Sequence, residues 1–176
     1  MRLLIVGGAL LVAVMAVVPV AQGHTTSPMR CPAKPLFSVP RNKWKPARQQ
    51  LAPLGATAIR LCRYSGGNAH PPAKLIRSRL LTGRLRINSL IRDFNKLPPF
   101  GPGATSCPSD DGSQIDALLA YPNGERVTVK TSLTGCRDVT NGNLIRTAEG
   151  FGVPRQFGPQ LITELKALTR PARAPR

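Results

Sequence analysis

Between Gln114 and Leu133 the chain alternates with a period of two. Ile115, Ala117, Leu119 and Tyr121 are separated by Gln114, Asp116, Leu118 and Ala120. On the return, Val127, Val129, Thr131 and Leu133 alternate with Arg126, Thr128, Lys130 and Ser132. Such alternation places each set on one face of a strand. Asn123-Gly124 between the two runs is a hairpin signal. A three-residue loop, Asn123 to Glu125, predicts Tyr121 opposite Val127, Leu119 opposite Val129 and Ile115 opposite Leu133. That register gathers every bulky residue except Leu118 on one face, whereas a two-residue loop splits the apolar set. Gly124 or a neighbour then needs a positive φ.

The remaining pattern is sparser. Within Leu51 to Tyr64, Thr57, Ile59 and Leu61 share one face and Ala58, Arg60 and Cys62 the other, which predicts a strand ended by Ser65-Gly66-Gly67-Asn68. The run from Leu75 to Leu97 has helical character: Ile87, Leu90, Ile91, Phe94 and Leu97 make one stripe, stopped by Pro98-Pro99. Asp138 to Asn143 reads as a turn. A second helix is expected from Gln160 to Thr169, with Pro159 in its first turn and Leu161, Ile162, Leu165 and Leu168 as its stripe. The expected fold class is α+β: a small antiparallel sheet packed against one main helix, a short C-terminal helix and two disulfides.

The ends of the chain differ in kind from this middle. Met1-Arg2, an apolar run from Leu3 to Ala21 and the small residues of Ala21-Gln22-Gly23 have the form of a secretory signal peptide over residues 1–23, with cleavage expected after Gly23. Retention of the same run as an anchor is the alternative. Residues 24–54 are rich in Pro and basic residues without a sustained period, and read as a partly disordered arm tied down at Cys31. Residues 55–145 form the expected domain, 146–169 a C-terminal helical extension and 170–176 a basic tail. About 150 mature residues suit one domain with one modest core.

Charge and cysteines narrow the function. The net charge is +17, from 25 basic and 8 acidic residues. Such a surface attracts anionic partners: phosphate-rich envelope polymers, acidic lipid headgroups and nucleic acid. With five Phe, two Tyr and one Trp there are few rings to stack bases, so specific nucleic-acid recognition is not expected. His24 and His70 are the only histidines, no GxSxG-type nucleophile motif occurs, and no Gly-rich phosphate loop adjoins a Lys, so neither an enzyme nor a cofactor is expected. Four cysteines, Cys31, Cys62, Cys107 and Cys136, in an exported chain imply two disulfides, and the absence of any CxxC pair argues against zinc. Three pairings are open. The preferred one joins Cys31 to Cys62 and Cys107 to Cys136. The predicted register sets Cys136 opposite Gly112, so a bond to Cys107 requires residues 107–112 to curl back into an exposed loop clamped at its base.

The order of these features resembles the secreted subtilisin-inhibitor-like proteins of actinobacteria, and also related secreted actinobacterial domains of unknown function. The points of contact are Thr57-Ala58-Ile59-Arg60-Leu61-Cys62, His70-Pro71, Asp93-Phe94-Asn95-Lys96-Leu97, Cys107-Pro108, the hairpin and Cys136. The resemblance implies a helix on an antiparallel sheet and a substrate-like loop that occupies a serine protease active site. The candidate protease-contact loop is then Cys107, Pro108, Ser109, Asp110 and Asp111, with Pro108 and Ser109 before the target bond and Asp110 after it. An extracellular serine protease is the implied partner. The chain departs from the family in having no cysteine in its helix and in the acidic Asp110-Asp111 pair.

Overall fold

The computed structural model describes residues 29–67, 72–101, 107, 109–149 and 157–170. The expected signal segment, His24, His70, Pro71, Pro108 and the tail after Arg170 lie outside the described residues. The elements run α1 (Lys45–Gln49), β1 (Ala58–Tyr64), β2 (Leu75–Leu81), α2 (Arg84–Lys96), β3 (Gln114–Ala120), β4 (Arg126–Ser132), β5 (Asp138–Thr140), β6 (Ile145–Thr147) and α3 (Phe157–Leu168). The six strands form one antiparallel sheet in the order β2-β1-β3-β4-β5-β6. The fold is α+β as expected, but the sheet is larger than the sequence suggested.

One face of the sheet carries the core. Ile59 and Leu61 of β1, Ile115, Ala117 and Leu119 of β3, and Val127 and Val129 of β4 are buried against the helices. On α2 the stripe is as predicted: Ile87, Leu90, Ile91 and Phe94 are fully buried. Each such side chain contributes about 1.5–3 kcal/mol when removed from water. The helix has no side-chain N-cap. Packing rather than local signals therefore holds it. Leu161, Ile162, Leu165 and Leu168 of α3 join the same core.

The helix starts later than its periodicity suggested. Leu75–Leu81 is strand β2, not the first turns of a helix, and Thr82-Gly83 separates it from α2. The reason is tertiary. Pairing with β2 satisfies the outer edge of β1, from Ile59↔Leu81 to Tyr64↔Leu75. Without it a row of backbone donors and acceptors next to a packed core would have no protein partner.

The β3–β4 hairpin has the predicted loop length one residue earlier. The loop is Pro122-Asn123-Gly124, closed by Tyr121 N–H to Glu125 O (3.1 Å) and Gly124 N–H to Tyr121 O (3.1 Å), with Gly124 at φ 83°. Leu119 therefore faces Val127, Ala117 faces Val129 and Ile115 faces Thr131, in place of the expected partners. Pro122 decides this. It has no N–H for a ladder and its fixed φ suits the first corner of a turn. The shift preserves parity, so each bulky residue keeps the expected face. The segment read as a turn after Cys136 is a second, smaller hairpin: β5 and β6 flank residues 141–144.

The opposite face of the sheet is covered by the segment expected to be a loose arm. Residues 29–40 cross it, fixed by the Cys31–Cys62 disulfide (Cα–Cα 5.6 Å). Arg60 Nε donates to Met29 O (3.0 Å), Tyr64 OH to Pro32 O (2.8 Å) and Lys130 Nζ to Phe37 O (3.3 Å). Further on, Ala47, Leu51 and Ala52 enter the main core. Asn95 of α2 binds both Ala52 N–H (3.1 Å) and Ala52 O (2.7 Å). Proline-rich composition deprived this stretch of its own period, not of a partner: it is laid over a sheet that already exists.

Asp116 lies at the middle of that strapped face. It is fully buried between Cys62 of β1 and Lys130 of β4. Its oxygens accept from Gln114 Nε2 (2.7 Å) and, at 3.4 Å, from Leu36 N–H. Burial pushes its carboxyl up from 3.8 to about 6, against the lowering effects of those hydrogen bonds and of Lys130.

Candidate functional site

The predicted contact loop folds back as the pairing of Cys107 with Cys136 requires. Their Cα atoms are 4.9 Å apart. Cys107, Ser109, Asp110 and Asp111 are exposed. The ladder ends at Gln114↔Ser132 and is extended by Leu133 N–H to Ser113 O (2.9 Å). Before that point the loop is held by its own polar groups. Asp110 Oδ1 accepts from Gly112 N–H (2.9 Å), and Asp111 Oδ1 accepts from Ser113 N–H (2.7 Å). The Thr134 hydroxyl accepts from Asp111 N–H (3.2 Å) and lies within reach of both carboxylates, at 2.9 and 2.7 Å. The hydrogen bonds from Thr134 and Ser113 hold the Asp111 carboxyl below the usual carboxylate range.

The segment that follows β1 supports the loop from the side. Gly67 N–H donates to Asp111 O (2.8 Å), and a Cβ on Gly66 would collide with that same carbonyl. Gly112 and Gly135 both adopt positive φ (77° and 67°), and a side chain on Gly135 would meet Asp110. The two aspartates thus brace the loop from within. Ser109 presents the exposed side chain before them.

A different cluster gathers basic residues. Arg41, Lys43, Lys45 and Arg48 fall within eight positions of sequence. Asn42 pins the turn that carries them: Nδ2 donates to Arg126 O (2.7 Å), Oδ1 accepts from Trp44 N–H (2.8 Å), and its carbonyl accepts from Asn143 Nδ2 (3.1 Å). The Trp44 ring packs edge-on against Tyr121, with centroids 4.7 Å apart. Tyr121 OH in turn donates to Pro53 O (2.8 Å). Between Arg41, Lys43, Arg48, Asn42 and Asn143 lies an open cleft of about 590 Å³ that no carboxylate lines. A neighbouring cleft of about 440 Å³ shares Arg41, Asn42 and Lys43 and adds Arg126 and Glu125.

The acidic residues are mostly engaged elsewhere. Asp93 pairs with Lys96 (3.5 Å), Glu149 with Arg137 (3.0 Å), Asp138 accepts from the Ser132 hydroxyl, and Asp116 is buried. The field at the Arg41–Arg48 cleft is therefore positive. Sequence reasoning did not find this site, because Asn143 comes from the β5–β6 turn, about a hundred residues from Asn42. The density of basic residues in Arg41 to Arg48 was its one visible trace.

The structure brings Cys107, Ser109, Asp110 and Asp111 together as one loop and pairs all four cysteines as preferred. Two disulfides fit an extracytoplasmic protein. Among the described residues, no helix is long and apolar enough to cross a membrane, and no three His, Cys, Asp or Glu residues are grouped to hold a metal. No family model matches the chain, and no curated protein or solved structure matches it either.

Proposed function

We propose that this is a secreted, non-enzymatic binding domain that retains itself on anionic, phosphate-bearing polymers of the cell envelope. The observation that carries the reading is the cleft in which Arg41, Lys43 and Arg48 surround the pinned amides of Asn42 and Asn143, with no carboxylate in its lining. The guanidinium and ammonium groups of Arg41, Lys43 and Arg48 suit phosphate oxygens, Arg offering a planar fork of donors, and the amides of Asn42 and Asn143 hold the turn that presents them. The test is adsorption of the disulfide-intact protein to inorganic polyphosphate and to cell-wall preparations across a salt series. Binding should weaken steeply as salt screens the surface. Replacement of Arg41, Lys43 and Arg48 together by Ala should weaken it at least about tenfold. Binding that ignores both salt and the triple variant would refute the proposal.

The clamped loop favours a second reading, the serine protease inhibition implied by the resemblance to subtilisin-inhibitor-like proteins. A loop tied by Cys107–Cys136, Thr134 and Gly67 has little ordering entropy left to lose on binding. With Asp110 and Asp111 occupied internally, Ser109 becomes the residue that sets specificity. Titration against subtilisin and trypsin, with Ser109→Met and Ser109→Lys variants, tests this. No inhibition by any of the three at about micromolar concentration removes the reading.

A further inference from the structure

The two edges of the sheet are finished differently. At β6 the edge is short and closed: Pro99 bridges Arg146, Thr147 N–H donates to Pro98 O (3.1 Å) and Phe100 N–H to Ile145 O (3.4 Å). At the other edge, β2 presents seven residues, and among the described residues nothing pairs with its outer side. Five of the seven are exposed, including Ile76 at 49% and Leu80 at 45%. A long open edge is a template for an added strand.

The chemistry around this edge is one-sided. From Pro72 to Arg92 the chain holds Lys74, Arg77, Arg79, Arg84, Arg86 and Arg92 and not one acid. Arg77 and Arg79 stand on the helix side of β2, two positions apart, the period of a strand. Arg77 lies directly opposite Arg63 of β1, whose Nε is buried without a hydrogen-bond partner among the described residues. Like charges facing each other across a ladder are unfavourable. Among the described residues Arg79 alone of the three is tied down, through Nη1 to Leu168 O (3.3 Å). Past the end of β2, Arg79, Leu80, Leu81, Arg84, Leu85 and Arg86 line an open groove of about 520 Å³, with Leu85 89% exposed.

We propose that β2 is a docking edge for an extended acidic polypeptide, which adds a seventh strand beside Leu75–Leu81 with carboxylates facing Arg77 and Arg79 and apolar residues over Ile76 and Leu80. A carboxylate set opposite Arg77 offsets the repulsion from Arg63. A second copy of this chain does not fit, since pairing β2 with itself would bring arginines together. An anionic lipid surface would meet the arginines and leucines but would leave the free backbone donors of β2 without a ladder. This surface is separate from the Arg41–Arg48 cleft, and its test does not depend on that site.

The probe is an acetylated and amidated eight-residue peptide of alternating Glu and Val, titrated into the isotopically labelled, disulfide-intact protein. Amide shifts should concentrate in residues 75–86. Methylation of alternate peptide nitrogens should weaken binding at least about tenfold, because it removes ladder donors and keeps the charge. Arg77→Glu should weaken the Glu–Val peptide by a similar factor and strengthen a Lys–Val peptide, so an unfolded variant cannot mimic the result. Failure of the Glu–Val peptide to bind, indifference to N-methylation, or no reversal of preference in Arg77→Glu would overturn the proposal. So would shifts at β2 with phosphatidylglycerol vesicles and none with the peptide, which would assign the edge to a lipid surface.

Discussion

Asp116→Asn is the sharpest test of how the strap over the sheet is held. In the folded chain the Asp116 carboxyl is pushed from 3.8 up to about 6, chiefly by burial. The unfolded chain releases this proton near its ordinary value, so between about pH 4 and pH 6 the folded state binds more protons than the unfolded one. Stability from this group is therefore fully present below the unfolded value and is lost as pH rises through the folded one. Two pH units correspond to about 3 kcal/mol. The assay is urea unfolding of the wild type and of Asp116→Asn at pH 4, 5, 6 and 7, with disulfides intact. Subtracting the two curves cancels the other titrating groups. The wild-type advantage should fall by about 2 kcal/mol from pH 4 to pH 7, the remainder of the roughly 3 kcal/mol lying below pH 4, where the unfolded-state carboxyl becomes fully protonated. Asparagine also loses one acceptor, opposite Gln114 or Leu36, but that offset is constant with pH. A difference that is flat, or that grows with pH, would refute the placement of a buried carboxyl beneath residues 29–40.

Other substitutions probe separate parts of the molecule. Asn141 is buried, donates through Nδ2 to the carbonyls of Ala47 (2.7 Å), Gln50 (2.9 Å) and Leu51 (3.1 Å), and accepts from Asn143 and Leu144 N–H. Asn141→Ala should cost about 2–4 kcal/mol in chemical denaturation, since it orphans donors and acceptors on both α1 and the β5–β6 turn. Phe94→Ala empties the centre of the core and should cost about 3–5 kcal/mol by the same measurement. Replacing Cys31 and Cys62 by Ser opens a 31-residue separation and should lower stability by about 3–4 kcal/mol on the chain-entropy model. Peptide mapping of that variant should still find Cys107 joined to Cys136. Thr134→Val removes the hydroxyl that bridges Asp110 and Asp111, and limited proteolysis should then cut within residues 107–113 sooner than in the wild type.

What the sequence determined by itself was local and periodic. The stripe of α2, the stripe of α3 and the two faces of the β3–β4 hairpin follow from spacing, because burying one face of an element is a condition each segment must meet alone. Even the hairpin register was off by one position of the loop, and Pro122 explains it from chemistry that was visible in the chain. Tertiary structure decided the rest. Leu75–Leu81 became a strand because β1 needed an edge partner, a requirement no periodicity in those seven residues can express. Residues 29–40 had no pattern because their role is to cover a face built elsewhere, through backbone carbonyls that every residue type supplies. Asp116 looked like one more polar position on the solvent side of a strand until that strap buried it. The Arg41–Arg48 cleft likewise needed Asn143 from the far end of the chain. Periodicity records what a segment buries on its own, and these features exist only where two distant segments meet.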